Sequence, residues 1–242
     1  MIKEALSKLL VALFPKRCAL CGDIIEYNQY LCDECEALEF IKAPFCLKCG
    51  CEKRDCICKK SKRSPEYNGV TAPYYYGGSV AHGVLNLKMY NSPELSVEQG
   101  KRISVAVKEN FSDISFDSVT YIPMLKADEA KRGFNQAKLL ADCVSQGCDI
   151  PLEDLLIKKR KTKMQKRQSA KDRFINMYGV FDLAENADVK DKIILLVDDV
   201  KTTGSTLSSA ALTLKAYGAK RVYCAVYAIV NKEAKQINKN FC

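Results

Sequence analysis

Nine of the chain's thirteen cysteines lie between Cys18 and Cys58. That asymmetry sets the first domain boundary and limits what the front end can be. The preceding stretch, Met1 to Phe14, is apolar but carries Lys3, Glu4 and Lys8. It is too short and too charged to span a bilayer, and it lacks the small-residue cleavage site of a signal peptide. The expectation is a cytoplasmic chain with no membrane span. In that compartment thiols stay reduced, and clustered cysteines bind metal more often than they form disulfides.

Cys18-Ala-Leu-Cys21 and Cys32-Asp-Glu-Cys35 are two Cys-x-x-Cys knuckles. Each delivers two thiolates from one tight turn, and together they complete a tetrahedral site of four sulfurs suited to Zn²⁺. Gly22 gives the first turn the backbone freedom it needs. A second set follows: Cys46 and Cys49, then Cys56 and Cys58, with Cys51 left over. Its returning pair is Cys-x-Cys, a poorer fit. Two readings stay open, a second zinc held by Cys46, Cys49, Cys56 and Cys58, or one zinc plus reduced cysteines in a turn-rich loop. A site closed by four protein ligands is structural and contributes folding energy, so the metal is assigned no catalysis. Four thiolates around one Zn²⁺ add −2, so two sites lower the formal +9 to +5. A basic run, KKSKRSP, reads as a linker. The expected division is 1–62 for the zinc module and 63–242 for a larger domain.

With 48% hydrophobic and 28% charged residues, the rest should fold around a sizeable core. The run 70–76 has strand composition, with Pro73 pointing to a sheet edge. Helices are expected over 79–90, about 94–110, 134–147 (closed by Gly147) and 203–218. Buried strands are expected at 118–123, 192–197 and 221–230. Strands alternating with helices imply an α/β fold, a mostly parallel twisted sheet flanked by helices. In such sheets ligands bind outside the carboxyl ends of strands.

The segment 195–206, LLVDDVKTTGST, lies at such an end. A helix N-terminus offers free N–H donors and partial positive charge to a phosphate. Thr202, Thr203, Ser205 and Thr206 add hydroxyls, and Gly204 lets the backbone approach closely. Asp198 and Asp199 only accept hydrogen bonds when ionised, so they match the vicinal hydroxyls of a ribose, one ring away from its 5-phosphate. No Walker A or Rossmann glycine pattern is present. An acidic pair after a strand can also hold Mg²⁺, but Mg²⁺ does not explain the small residues that follow.

The run ILLVDDVKTTGSTL (194–207) resembles the phosphoribosyl pyrophosphate (PRPP) motif of type I phosphoribosyltransferases. With the cysteine knuckles, LKMY (87–90), IPMLKADEAKRGFNQA (122–137) and TKMQKRQSAKDRFIN (162–176), the chain is similar to the competence protein ComF family. Thr162, Gln165, Ser169, Arg173 and Asn176 match the last pattern. Two departures stand out: Ile122-Pro123-Met124-Leu125-Lys126 lacks the family's histidine, and Gln168 replaces a leucine. The resemblance implies that Asp198 and Asp199 grip ribose, that Thr202 to Thr206 cradle the 5-phosphate, and that Mg²⁺ bridges ribose and pyrophosphate. It places the turn after Pro123 near pyrophosphate, counts Lys126 among the binding residues, and makes Arg132 and the basic stretch Lys158 to Arg173 a mobile lid. A solvated loop charge or basic face is the other account of those residues.

Two functions follow. In one, a PRPP-dependent phosphoribosyltransferase uses Asp198, Asp199 and Arg132 on an acceptor the sequence does not reveal. The sole histidine, His82, is expected to be structural or solvated. In the other, implied by the family's association with DNA uptake, the pocket is a sensor or relic. Single-stranded DNA would then meet the zinc knuckles, tyrosines 74–76 and the basic stretch. The zinc module could bind DNA, pack on the larger domain or recruit a helicase-like competence partner.

Overall fold

The computed structural model describes residues 15–56, 58, 64–90, 93–159 and 179–231. The linker (Ser64 and Pro65 apart), the basic stretch beyond Lys159 and the motif residues at 162–176 lie outside these.

The long apolar runs form a parallel sheet. β1 (Gly69–Thr71) and β2 (Tyr74–Tyr75) both pair with β7 (Arg221–Ile229), which pairs with β6 (Ile193–Lys201), which pairs with β3 (Ser118–Tyr121). Pro73 falls between β1 and β2, on an edge where a missing N–H is tolerated. The helices are α1 (Asp33–Glu36), α2 (Gly78–Tyr90), α3 (Pro93–Asn110), α4 (Lys126–Arg132), α5 (Gln136–Cys148) and α6 (Ser205–Ala216). A small antiparallel pair, β4 (Leu156–Lys158) and β5 (Phe181–Leu183), stands apart. Its end carries the first of the basic residues, and Lys159 is paired with Asp182. Among the described residues no helix is long and apolar enough to cross a membrane.

Alternation along β6 builds two cores. Leu195 and Val197 pack with Val84 and Leu87 of α2, Ile103 of α3 and Leu140 of α5. Ile194 and Leu196 face Leu207, Ala211 and Leu214 of α6.

Among the boundaries that differ from the sequence expectation, two bear on packing and the site, while α6 is also shorter at both ends than the expected 203–218. β6 does not stop at Val197. It stays in register with β7 from Ile193↔Arg221 to Lys201↔Ile229, so backbone pairing carries the strand through both aspartates. Gly147 does not close α5. It lies inside the helix, and Asp149 caps the end at φ 56°. A Cβ at Gly147 would sit 2.5 Å from Ser104 Oγ, and one at Gly100 would sit 2.3 Å from Cys143 Cβ. These glycines let α3 and α5 cross in close contact.

The cysteine-rich front end packs on the sheet domain. Cys18, Leu20, Cys21, Leu31 and Cys35 join the core beneath α2 and α3. Asn86 donates to the Cys21 carbonyl at 2.6 Å, and Gln99 donates to the Leu20 carbonyl at 3.1 Å. The second cysteine segment covers the sheet edge. The N–H of Val70 in β1 donates to Leu47 O at 3.0 Å, and Ile41 N–H donates to Pro73 O at 2.8 Å. An exposed parallel edge would offer unpaired backbone groups to other chains, and this segment satisfies some of them. Of the three openings for the zinc module, packing on the larger domain is the one observed.

The tyrosine run is largely interior. Tyr74 is buried edge-to-face against Phe40 and Tyr227, and Tyr75 OH donates to Asp55 while accepting from Glu52 N–H. The expected stacking platform for DNA therefore fails at Tyr74 and Tyr75, whose rings serve packing. Tyr76 alone stays at a cleft.

Candidate functional site

The acidic pair sits where β6 emerges at the carboxyl edge of the sheet, and its members have different surroundings. Asp199 lies on the α2/α5 side and is buried. Its Oδ2 is 2.7 Å from Lys88 Nζ on the last turn of α2, and it accepts from Gln136 Nε2 at 3.3 Å. Its Oδ1 accepts from Val200 N–H at 2.6 Å. Arg132 Nη1 donates to Gln136 Oε1 at 2.8 Å, so the guanidinium reaches Asp199 through one amide. Gln136 is held there by its neighbour. Buried Asn135 accepts from Ala137 N–H, which caps α5, and donates to Ile122 O just past β3.

Asp198 turns back on the strand and accepts from Asp199 N–H at 2.9 Å. Burial, and then the adjacent Asp199 charge, hold its carboxyl well above the usual carboxylate range, although the residue keeps some contact with solvent. A carboxyl held above its usual range gives up its proton less readily, which weakens Asp198 as an acceptor for ribose hydroxyls. The two carboxylates that the resemblance assigns to ribose thus have unequal surroundings.

After Lys201 the chain bends through Thr202, Thr203 and Gly204 into α6. Gly204 is in the left-handed region at φ 80°, occupies the N-cap position and brings no side chain to the first-turn amides. Thr203 Oγ1 and Ser205 Oγ are 2.9 Å apart, and Ser205 N–H donates to Thr203 Oγ1 at 3.3 Å. Thr202, Thr203, Ser205 and Thr206 are exposed. The result is a ring of hydroxyls and amides at a helix N-terminus, suited to an anion.

Two clefts flank this turn. The smaller, about 420 Å³, is lined by Tyr76, Lys88, Asp199, Val200, Thr202 and Thr203. The larger, about 810 Å³, lies between the turn and the second cysteine segment. The smaller one brings together the Asp199 carboxylate, the Lys88 cation and the hydroxyl turn.

Lys126 opens α4 and is exposed, with no ion pair to the acidic pair among the described residues. Arg132 is brought into the network; Lys126 is not. Lys88 and Gln136 were not singled out from the sequence, and Tyr76 was singled out only as a candidate DNA contact. Lys88 and Gln136 lie within the quoted LKMY and RGFNQA runs, so their signal was present without a role attached. His82 is exposed, with Nδ1 3.5 Å from Asp23 Oδ2, away from this site.

The cysteines form two quartets. The Sγ atoms of Cys18, Cys21, Cys32 and Cys35 all lie within 4.8 Å of one another, as do those of Cys46, Cys49, Cys56 and Cys58. Four convergent thiols fit a closed tetrahedral zinc site. The first quartet is mostly buried; every member of the second is partly exposed.

A phosphoribosyl transferase domain model matches residues 130–242, and a double zinc ribbon domain model matches residues 9–63. Competence protein F of Haemophilus influenzae is 26% identical over 226 residues, which is 88% of this chain and 96% of that protein. Competence protein ComFC of Bacillus subtilis is 39% identical over 93 residues, 38% of this chain and 36% of that one. DNA utilization protein YhgH of Escherichia coli K12 is 32% identical over 107 residues, 44% of this chain and 46% of that one. The parallel α/β sheet, the hydroxyl turn after β6 and the paired cysteine quartets agree with these matches. The chain is thus a homologue of competence protein F and ComFC, joining an N-terminal double zinc ribbon to a domain of the phosphoribosyl transferase fold.

Proposed function

We propose that the chain binds PRPP with Mg²⁺ at the carboxyl end of β6 and serves DNA handling in competence from the cytoplasm. The observation that carries the ligand assignment is the convergence of Lys88, Gln136 and Asp199 beside the hydroxyl turn. Asp199 accepts the ribose hydroxyls, and Thr202 to Thr206 hold the 5-phosphate by hydroxyls and amides. Lys88 and Arg132 supply positive charge for the pyrophosphate. Mg²⁺, bound with PRPP's own oxygens, would take Asp199 as its protein carboxylate and neutralise pyrophosphate charge. Each cysteine quartet holds one structural zinc, and the chain divides near residue 62. The competence role rests on what the relatives are called.

A transferase reading uses the same groups. As the C1–O bond of PRPP breaks, positive charge on the ribose ring is stabilised by the Asp199 carboxylate. His82 lies elsewhere, paired with Asp23, so the acceptor must bring a nucleophile that needs no histidine base. Isothermal titration with PRPP and Mg²⁺ tests the ligand assignment. Saturable heat from the wild type supports it, and a flat titration removes it. A screen of nucleobases and amines for pyrophosphate release then separates transferase from sensor.

A further inference from the structure

The second zinc ribbon lies directly behind the phosphate turn. The larger cleft is lined on one wall by Lys48, Cys49, Cys58 and Ser64, and on the other by Lys201, Thr203, Gly204 and Ser205. One side chain spans the two. Buried Tyr67, nine residues past the last zinc-binding cysteine, donates its hydroxyl to Lys48 O at 2.8 Å, between Cys46 and Cys49. The same oxygen would lie 3.2 Å from a Cβ at Gly204, the N-cap of the phosphate turn. Beside it runs Lys201, whose Cε would lie 3.1 Å from that position. A second tie is close by: Glu66 N–H donates to Ser208 Oγ in the first turn of α6. Among the described residues the first ribbon shows no such contact; its links go to α2 and α3.

We infer that Tyr67 is a positioning residue for the phosphate turn and that zinc in the second quartet holds it in place. This rests on the proposed PRPP reading for the identity of the ligand, though not for the coupling itself. Zinc fixes the Cys46–Cys49 knuckle, whose Lys48 carbonyl fixes the Tyr67 hydroxyl. That hydroxyl forms the floor under Gly204. Lys201 adds a charge argument. It is only 6% exposed, and no carboxylate pairs with it among the described residues. A tetrathiolate zinc carries −2, so a filled second quartet places anionic charge across the cleft from it. Because linkage is reciprocal, a ligand that orders the turn must also tighten the second zinc by the same factor.

The test follows zinc release from the full-length protein with a chromogenic zinc-selective chelator, with and without PRPP and Mg²⁺. The partly exposed second quartet should release first. PRPP should slow that phase by about 5-fold or more, the lower range of measured couplings, and leave the slower phase unchanged. Tyr67→Phe, which removes one hydroxyl and keeps the ring, should abolish the protection. Tyr30→Phe, which removes the first ribbon's 3.3 Å bond to Glu98, should retain it. Amide hydrogen exchange supplies an arm that needs no PRPP. Loss of the second zinc, or Tyr67→Phe, should speed exchange at Gly204 to Leu207. Unchanged exchange there in both cases overturns the coupling, whether or not PRPP binds. PRPP binding by calorimetry without slowed release also overturns it. Faster exchange with no PRPP binding would uphold the coupling and instead refute the ligand assignment.

Discussion

Asp199→Asn separates the ligand role of the acidic pair from its structural role. The wild-type side chain is only 9% exposed and its ion partner, Lys88, is 32% exposed. Removing the charge lets Lys88 turn to water, so the lost pair costs about 0–1 kcal/mol of stability. The new amide also meets two donors, Lys88 Nζ and Gln136 Nε2, because Val200 N–H keeps the remaining oxygen. One mismatched hydrogen bond adds about 1 kcal/mol. The sum of about 1–2 kcal/mol corresponds to a fall in Tm of about 2–8 °C for a domain of this size. Ligand binding should suffer more. A hydrogen bond to an ionised acceptor is worth about 1.5–3 kcal/mol, or about 10- to 150-fold in Kd. Thermal unfolding followed by calorimetry with PRPP and Mg²⁺ reads both effects. PRPP binding within about twofold of wild type, well under 1 kcal/mol, would refute the assignment of Asp199 to the ligand. A fall in Tm far beyond the stated range would show that the Lys88 pair holds the fold instead.

Asp198→Asn should behave in the opposite way and raise Tm at neutral pH. The folded protein holds this carboxyl above the usual range, chiefly by burial. The ionised form is therefore penalised in the fold. The native stability it carries falls as pH rises from the unfolded carboxylate value, about 4, through its own raised pKa. The gain from asparagine should be absent below about pH 4 and grow across that window, as Tm measured against pH will report. Gly100→Ala should destabilise by about 1–3 kcal/mol through overpacking, and more than Gly147→Ala. Its Cβ meets the fixed Cβ of Cys143, whereas the nearest atom at Gly147 is the rotatable Ser104 hydroxyl; urea unfolding compares the two. Elemental analysis should find two zinc ions per chain. Cys21→Ser and Cys56→Ser should each leave one, with the larger drop in Tm for Cys21, which lies in the main core.

The first cysteine quartet was legible, and the second was one of two open readings, because each is assembled from local turns, where sequence spacing is already geometry. The same holds for the hydroxyl turn, which follows its strand directly. The end of β6 was not legible. Hydrophobic periodicity stops at Val197, while the backbone ladder with β7 continues to Lys201, and only the partner strand reveals that. Gly147 looked like a helix terminator, yet its role is the crossing with Ser104, a contact 43 positions away in sequence. Lys88 and Gln136 were hidden for a related reason. Their runs were recognisable, but only the packing of α2 and α5 against one sheet face brings both to Asp199. The placement of the second ribbon likewise depends on edge contacts such as Val70 to Leu47, which leave no periodic trace.

The central claim is that one sugar phosphate spans Asp199 and the turn from Thr202 to Thr206. A crystal structure with bound ribose 5-phosphate tests it without any need for turnover. The account predicts the phosphate against the amides of Gly204 to Thr206 and a ribose hydroxyl on Asp199. A phosphate seated elsewhere, or a ribose turned away from Asp199, would contradict it.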